Sequence, residues 1–326
     1  MAILITGTAG FIGSALVLQL ISKEKEVIGV DNLNNYYDVT LKKNRLSLLQ
    51  TSPLFRFYFL DITNRTAVEK LFSENDIDVT IHLAAQPGVR YSLTNPHAYI
   101  DANLVGFTNV LEAFRQRKIK HFIFASSSSV YGANTKLPFS ETDSTDHPIS
   151  LYGATKKANE LIAHSYAHLY NLPCTGLRFF TVYGPWGRPD MALFSFTRDI
   201  LDEKPITVFN NGNMLRDFTY IDDVVAGIDR IITLPPNQNI PYQIYNIGNS
   251  NPVKLSYFIN VLEKNLGKKA ILNRQPMHTA DMRDTYADVA AFEKRAGALP
   301  HTSIETGIAR FVKWYKNYYA DVLCVQ

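Results

Sequence analysis

The amino-acid sequence predicts an α/β protein, a doubly wound parallel sheet with a smaller mixed α/β lobe. Short apolar runs alternate with amphipathic stretches through the first half of the chain, as strands and helices do in a parallel sheet. The first run is followed at once by a glycine-rich turn and a helix-like segment. With 326 residues, of which 46% are hydrophobic, the chain can bury a large core as one big domain or two lobes.

The predicted strands are short apolar runs with helix-like segments between them. Buried parallel strands are predicted over residues 2–6, 26–31, 55–61, 79–85, 121–127 and 174–180. A later run, residues 242–248, has the same character, and we expect it to return to the main sheet.

Beyond about residue 181 the composition changes, which predicts the second lobe. The stretch "TVYGPWGRPDM" is rich in proline and glycine and is predicted to be a long functional loop. Residues 205–223 are predicted to form a strand, a turn and a second strand. Residues 251–320 are predicted to be mostly helical with short strands, and we expect the two lobes to interleave.

Two helices of the first lobe carry apolar residues on more than one face. Residues 96–117 and 150–171 each place apolar side chains at helical spacing, which would cover the sheet. Further apolar residues, including Val105 and Leu169, lie off that stripe. A thicker core or a partner surface would explain them, and we expect a homodimer formed through these helices.

Composition argues against several classes of protein. The net charge is +3 with scattered basic residues, so nucleic-acid binding is not expected. The densest basic group, Lys42, Lys43 and Arg45, is predicted to be a solvated helix face. Cys174 and Cys324 belong to no CxxC motif, so neither a disulfide framework nor a metal site is predicted. No run of 18 apolar residues occurs, so we expect no membrane span and a cytoplasmic location.

The stretch "ILITGTAGFIGSAL" predicts a dinucleotide site. Gly7, Gly10 and Gly13 follow a strand and open a helix, whose free N–H groups would bind a pyrophosphate. Asp31 ends the second strand, where its carboxylate would accept hydrogen bonds from ribose hydroxyls and repel a 2′-phosphate. We therefore predict NAD as the cofactor, a Rossmann domain over residues 1–180 with a return strand near 242–248, and a substrate lobe over 181–326.

Asp61 ends the third strand and has two interpretations. It could contact the adenine, or it could cap the following helix. The full predicted cofactor site comprises Gly7, Gly10, Phe11, Ile12, Gly13, Asp31, Asn32, Asp61, Ile62, Leu83, Ala84, Ala85, Asn103, Tyr152 and Lys156.

The stretches "ASSSSVYG" and "LYGATKKANEL" predict the chemical site. A phenol has a pKa near 10, so Tyr152 would need nearby positive charge to act as a base. Lys156, one helical turn away, and the nicotinamide ring of NAD would supply it. Serine hydroxyls at the end of the preceding strand could contact a substrate oxygen, or they could simply cap a helix.

The glycine-rich loop, the serine run and Tyr152-x-x-x-Lys156 resemble the extended short-chain dehydrogenase/reductase family over nearly the whole chain. The resemblance implies a catalytic triad of Ser127, Tyr152 and Lys156, and an Asn103 that supports the active-site backbone. Serines replace the Asp-Glu pair that dehydratases of this family carry after the triad hydroxyl, which argues against dehydration.

Three further stretches, "DNLNNYYDVTLKKNRL", "QPGVRYS" and "FFTVYGPWGRPDMA", resemble the UDP-glucuronate 4-epimerase branch of that family. This implies a UDP-sugar substrate, oxidation of its carbon 4 by NAD, and return of the hydride to the opposite face. The alternatives are a UDP-glucose or UDP-N-acetylhexosamine 4-epimerase, a UDP-glucuronate decarboxylase and, more distantly, a non-enzymatic NAD-binding regulator.

The substrate residues follow from this resemblance. A 4-keto uronic acid loses CO₂ readily, so an epimerase must hold the carboxylate, and the candidates are Ser126, Ser128, Thr181, Arg90 and Arg188. For the nucleotide, the resemblance implies contacts from Thr207, Phe209, Arg216 and Asp281.

Overall fold

The computed structural model describes residues 2–117, 119–279 and 281–323, and Cys324 lies outside them. The strands are β1 (Ala2–Thr6), β2 (Glu26–Asp31), β3 (Phe55–Phe59), β4 (Val79–His82), β5 (His121–Ser127), β6 (Cys174–Phe179), β7 (Thr181–Tyr183), β8 (Pro205–Phe209), β9 (Leu215–Arg216), β10 (Phe218–Tyr220), β11 (Tyr242–Ile247), β12 (Val253–Lys254) and β13 (Ile271–Gln275). The helices are α1 (Phe11–Ser22), α2 (Val39–Leu49), α3 (Arg65–Glu74), α4 (Tyr91–Thr94), α5 (Pro96–Tyr99), α6 (Phe107–Arg115), α7 (Leu151–Tyr170), α8 (Ala192–Leu201), α9 (Ile221–Ile232), α10 (Leu255–Leu266), α11 (Ala290–Ala296) and α12 (Ile304–Leu323).

The main sheet has seven parallel strands in the order β11-β6-β5-β4-β1-β2-β3, which confirms the doubly wound fold. Successive side chains of β1 enter opposite apolar clusters, Ile3 and Ile5 on one side and Leu4 on the other, because a strand alternates its faces. The strand order reverses between β1 and β4, and ligands of open α/β sheets bind where such a reversal opens a crevice.

The return strand predicted near 242–248 is confirmed, since β11 pairs in parallel with β6. The second lobe contains three short strand pairs: β7 with β10, β8 with β13, and β9 with β12. The segment 181–191, predicted as a loop, begins with β7, because Thr181–Tyr183 pairs with Phe218–Tyr220. The second strand predicted within 205–223 ends early, since α9 begins at Ile221.

The predicted helix 96–117 is interrupted. Pro96–Tyr99 and Phe107–Arg115 are α-helical, but Ile100–Gly106 between them is a π-helix, a form that often marks functional sites. The helix predicted over 150–171 is α7, and its N-terminus is capped by the Ser150 hydroxyl, which accepts a hydrogen bond from the Gly153 N–H at 3.0 Å.

The prediction of a solvated basic face on α2 is wrong for two of its three residues. Lys42 and Arg45 are buried, and only Lys43 is exposed. Arg45 lies four residues from both Leu41 and Leu49, so it belongs to the inward-facing stripe of the helix. None of the helices in the described ranges is long and apolar enough to cross a membrane.

Candidate active site

The glycine-rich turn forms a cradle whose close backbone packing requires glycine. Gly7 has a φ of +79°, and its N–H donates to the Val30 carbonyl oxygen at 2.7 Å. A Cβ on Gly13 would lie 2.1 Å from the Gly7 carbonyl oxygen, so α1 packs on the turn only because glycine is present. The first N–H groups of α1 lack helical partners, and together with the turn they could hold a diphosphate.

Asp31 lies at the end of β2 with its carboxylate fixed by backbone N–H groups. Its two oxygens accept from Ala9 at 3.0 Å and from Leu33 at 2.8 Å. Burial raises the pKa of Asp31, against the lowering effect of these hydrogen bonds and of the Lys42 charge. The Lys42 ammonium donates to the Asn34 carbonyl and side-chain oxygens, each at 2.7 Å, and burial lowers its pKa to about 8. Lys42 is therefore a cleft residue that the sequence interpretation missed.

Asp61 is not a helix cap. The N-cap of α3 is Asn64, whose side chain accepts from the Ala67 N–H at 3.1 Å. Asp61 instead accepts a hydrogen bond from the Asn32 amide at 2.8 Å, and both residues line the cleft. Asp61 also accepts hydrogen bonds from the Thr63 N–H and hydroxyl, at 2.9 and 2.7 Å, and its contact with the adenine stays a prediction.

The structure brings most of the predicted cofactor residues into one cleft above the sheet. The predicted residues that line it are Gly7, Gly10, Phe11, Ile12, Gly13, Asp31, Asn32, Asp61, Ile62, Leu83, Ala84, Ala85, Ser126, Ser127, Tyr152, Lys156 and Arg188.

Ser127, Tyr152 and Lys156 meet at one end of this cleft. Ser127 ends β5, whereas Tyr152 and Lys156 lie in the first two turns of α7. Burial raises the pKa of the Tyr152 phenol, while the Ser127 hydroxyl and the Arg188 charge lower it to a smaller extent. Burial lowers the pKa of Lys156 to about 8, and its ammonium donates to the Ala125 carbonyl oxygen at 2.9 Å. The chain by itself therefore does not favour the phenolate.

Asn103 supports this end of the cleft from the π-helix. Its amide oxygen accepts from the Gln86 N–H at 2.7 Å, and its amide nitrogen donates to the Gln86 carbonyl and to the Thr155 hydroxyl. The Asn159 amide donates to the Asn103 carbonyl at 2.6 Å. Asn103 thereby ties the segment after β4 to α7 and is buried behind the cleft.

Ser126 lines the cleft, but its hydroxyl is hydrogen-bonded inside the protein, and its contact with the substrate stays a prediction. Its hydroxyl donates to Glu160 at 2.6 Å, and Glu160 also accepts two hydrogen bonds from Arg178, both at 2.8 Å. Both charged side chains are almost fully buried. Glu160 lies one turn beyond Lys156 on α7 and Arg178 lies on β6, and this ion pair was not predicted from the sequence.

Thr181, Arg188 and Met191 line one small pocket, and Arg188 and Met191 also line the main cleft. The Arg188 guanidinium pairs with Asp190, and the Tyr36 hydroxyl donates to the same carboxylate at 3.1 Å. The segment after β2 thereby contacts residues 184–190, which we call the 184–190 loop. Ser128 is buried in a 3-10 turn that follows β5.

The structure brings together three of the predicted substrate residues: Arg90, Phe209 and Asp281. The Arg90 guanidinium lies over the Phe209 ring at 4.0 Å and pairs with Asp281 at 2.7 Å. Arg90 thus lies with the residues predicted for the nucleotide rather than with Thr181. Thr207 is exposed on β8, the strand that ends at Phe209.

Arg216 is held by the backbone of its own lobe. Its guanidinium donates to the carbonyl oxygens of Leu215 and Arg283, each at 2.8 Å. Burial lowers the pKa of Arg216, against the raising effect of the Asp281 and Asp284 charges.

The comparisons with known proteins give the family. The model of the NAD-dependent epimerase/dehydratase family matches residues 3–248, and the chain belongs to this family. It is 51% identical to Protein CapI of Staphylococcus aureus, over 98% of this chain and 99% of that one. It is 47% identical to a probable UDP-glucuronate 4-epimerase of Rhizobium meliloti, over 98% of each chain. The crystal structure of UDP-glucuronic acid 4-epimerase from Bacillus cereus with UDP-glucuronic acid and NAD is similar with a TM-score of 0.92 and 36% identity, covering 98% of this chain and 100% of that one.

Proposed function

We propose that this member of the NAD-dependent epimerase/dehydratase family is a UDP-glucuronate 4-epimerase that interconverts UDP-glucuronate and UDP-galacturonate. The observation that carries the proposal is one cleft with a glycine cradle at one end and Ser127, Tyr152 and Lys156 at the other. The similarity to UDP-glucuronate 4-epimerases, extending over 98% of the chain, supports the choice of substrate.

The cradle fits NAD. Gly7 and Gly13 let the segment after β4 and helix α1 pack closely on the turn, whose N–H groups would bind a diphosphate, and Asp31 keeps lone pairs for the adenosine ribose while repelling a 2′-phosphate. The ammonium group of Lys42, which lies near Asp31, already donates hydrogen bonds to Asn34. When bound, NAD accepts a hydride from carbon 4 of the sugar and later returns it.

In this proposal Tyr152 removes the proton of the sugar's 4-hydroxyl and later returns it. Ser127 donates a hydrogen bond to the same oxygen, and Lys156 adds positive charge beside the phenol. Because burial raises the pKa of Tyr152 in the chain alone, we expect the base to become effective only in the holoenzyme.

The 4-keto uronic acid must keep its carboxylate out of the geometry that releases CO₂. We propose Thr181 and Arg188 as the groups that hold it, with Ser128 as a further candidate; Ser126 is a weaker one, because its hydroxyl already donates to Glu160. An arginine fork suits a carboxylate, provided that Arg188 exchanges part of its bond to Asp190 for the substrate.

The nucleotide half is assigned to the other group of predicted residues. We propose that Phe209 and Thr207 contact the uracil, that Asp281 and Arg90 lie at the ribose, and that Arg216 binds the diphosphate. On this assignment residues 1–180 with the return strand form the NAD domain, and 181–326 form the sugar-nucleotide lobe.

We also propose a homodimer. Leu161 and Leu169 on α7 are 56% and 66% exposed, and Val105 on the neighbouring π-helix is 45% exposed. A second copy would cover this apolar face. Light scattering should find a dimer for the wild-type chain and a monomer for Leu161→Asp.

The enzyme would work in the cytoplasm and supply an activated uronic acid for polysaccharide synthesis.

The test is to incubate the purified protein, without added cofactor, with UDP-glucuronate and separately with UDP-glucose, and to read the products by proton NMR. We expect UDP-galacturonate from the first and no product from the second. Tyr152→Phe should abolish the reaction, while Tyr170→Phe, an exposed position on the same helix, should retain it. UDP-galactose alone would indicate a neutral-sugar epimerase, and a UDP-pentose would indicate a decarboxylase.

A further inference from the structure

Arg45 is a buried cation at the junction of the two lobes. It lies on α2, and only 1% of its surface is exposed. Its guanidinium donates to three carbonyl oxygens and a phenol rather than to a carboxylate. A buried charge is costly unless hydrogen bonds compensate for the lost water, so these acceptors define where the side chain can lie.

The four hydrogen bonds connect three separate segments of the chain. Nη1 donates to the Ala9 carbonyl oxygen in the glycine-rich turn at 3.0 Å and to the Tyr37 hydroxyl at 2.7 Å. Nη2 donates to the carbonyl oxygens of Trp186 and Gly187 at 2.6 and 3.2 Å. A single planar group thus joins the turn that would hold NAD to the 184–190 loop.

Trp186 is held from its other side by the C-terminal helix. Its φ is +63°, which is unfavourable for a bulky residue and persists only where the surroundings impose it. Its ring lies 5.2 Å from that of Trp314 and 5.0 Å from that of Tyr318. Asn44, next to Arg45 on α2, donates to the Tyr318 hydroxyl at 2.7 Å. Helix α2 therefore holds both the loop and the helix on which it packs.

The loop fixed in this way carries Arg188, which lines the cleft, and Asp190, which bonds Arg188 and Tyr36. We propose that Arg45 is a positioning residue that couples the two halves of the site, so that binding of the sugar nucleotide tightens the hold on NAD. The inference rests on the proposed function, because it takes NAD and a UDP-sugar as the two ligands.

Lysine should not replace Arg45. A guanidinium presents donors along two separate edges of a rigid plane, whereas an ammonium presents all of its donors at one atom. Arg45→Lys would therefore keep the buried charge but lose either the Ala9 carbonyl or the Trp186 carbonyl.

The test follows NAD release from the purified holoenzyme after dilution, with and without saturating UDP-glucuronate. The ligand in this test is UDP-glucuronate rather than UDP, because the proposed contact with the 184–190 loop is made by the sugar carboxylate through Arg188. It should slow NAD release from the wild-type protein by about fivefold or more, within the usual range of coupling between two sites. Arg45→Lys should bring that ratio close to one, while Lys43→Met, an exposed position on the same helix, should keep it. A wild-type ratio near one, or an undiminished ratio in Arg45→Lys, overturns the inference.

Two further measurements keep the inference testable if Arg45→Lys does not fold. Tyr37→Phe removes one acceptor of the guanidinium and should lower the ratio of NAD release rates without and with UDP-glucuronate, so an unchanged ratio overturns the inference. Trp186 and Trp314 are the two tryptophans of the sequence, so near-ultraviolet circular dichroism reports on the loop. The tryptophan signal of the spectrum should change in Tyr37→Phe and be retained in Lys43→Met. A signal that is retained in Tyr37→Phe and changed in Lys43→Met contradicts the role of Arg45.

The outcome also separates this inference from the proposed function. A chain that purifies without NAD contradicts both. A holoenzyme whose NAD release responds to UDP-glucuronate through Arg45, but which forms no UDP-galacturonate, contradicts only the proposed reaction.

Discussion

Gly13→Ala tests whether the close approach of α1 to the glycine-rich turn is what makes the cofactor site. The added Cβ would lie 2.1 Å from the Gly7 carbonyl oxygen, whereas real Cβ contacts essentially never fall below 3.0 Å. The helix and the turn must therefore separate by about 0.9 Å, the difference between these distances. Both are backbone, so no side-chain rotation can relieve the contact.

A displacement of about 1 Å in a binding or catalytic constellation weakens function by about 10²-fold. At about 1.4 kcal/mol per tenfold change, NAD binding should weaken by about 2.8 kcal/mol. Calorimetric titration of the cofactor-depleted protein with NAD measures this directly, and the nucleotide content after purification gives an independent reading.

Gly10→Ala is the matched control. Its Cβ would lie 3.0 Å from the same Gly7 oxygen, so a shift of a few tenths of an ångström suffices. We expect it to retain most of its NAD affinity. Equal affinities of Gly13→Ala and wild type would refute the reasoning, because the close approach would then have no bearing on the cofactor.

Three further predictions concern buried charges. In the cofactor-free protein, burial lowers the pKa of Lys156 from 10.5 to about 8, so the unfolded chain binds more protons between these pH values and stability rises with pH across that window. The rise should be smaller by about 3 kcal/mol in Lys156→Met, as measured by urea unfolding at several pH values, while Lys42, whose pKa is also about 8, contributes a rise in both proteins; an equal rise in both proteins would contradict it. Glu160→Gln leaves Arg178 as a buried unpaired charge and should lower the free energy of unfolding by about 3–5 kcal/mol, whereas Glu69→Gln, at an exposed pair, should change it by less than about 1 kcal/mol. Asp217 accepts hydrogen bonds from three backbone N–H groups that join the segments around the proposed nucleotide site, so Asp217→Asn should raise KM for UDP-glucuronate about tenfold with kcat little changed; a lower kcat at unchanged KM in steady-state kinetics would argue against that role.

The sheet and the catalytic end of the cleft could be predicted from the sequence because each leaves a local signal. Apolar runs of strand length give the strands, and the strand ends of a doubly wound sheet converge on one crevice. That convergence is why Gly7, Asp31 and Ser127, which are far apart along the chain, line one cleft.

The buried cations of α2 were predicted wrongly because charge was given more weight than position. Arg45 lies on the same stripe as Leu41 and Leu49, and that spacing was the signal that could have placed it inside. Its acceptors come from residues near 9 and 186, so no local pattern could have predicted what it binds.

The local sequence also could not predict that the Ser126 hydroxyl points into the protein interior. Within "ASSSSVYG" every serine offers the same hydroxyl, and only the pleat of β5 and the position of Glu160 decide which one turns inward. The short strand β7 escaped prediction for a similar reason, because its partner β10 is supplied from elsewhere in the chain.

Strand β11 has a consequence for how this protein is made and redesigned. A ribosome that has reached residue 180 has produced six of the seven strands of the sheet and has left β6 with a bare edge. An unpaired apolar edge is a template for pairing with another chain, so the interval before residue 247 emerges is when the nascent protein is most exposed to aggregation. The segment between β6 and β11 is therefore inserted between two neighbouring strands of the seven-stranded sheet. A chimera that exchanges the sugar-nucleotide lobe for that of a relative should therefore keep residues 242–247 with the first lobe.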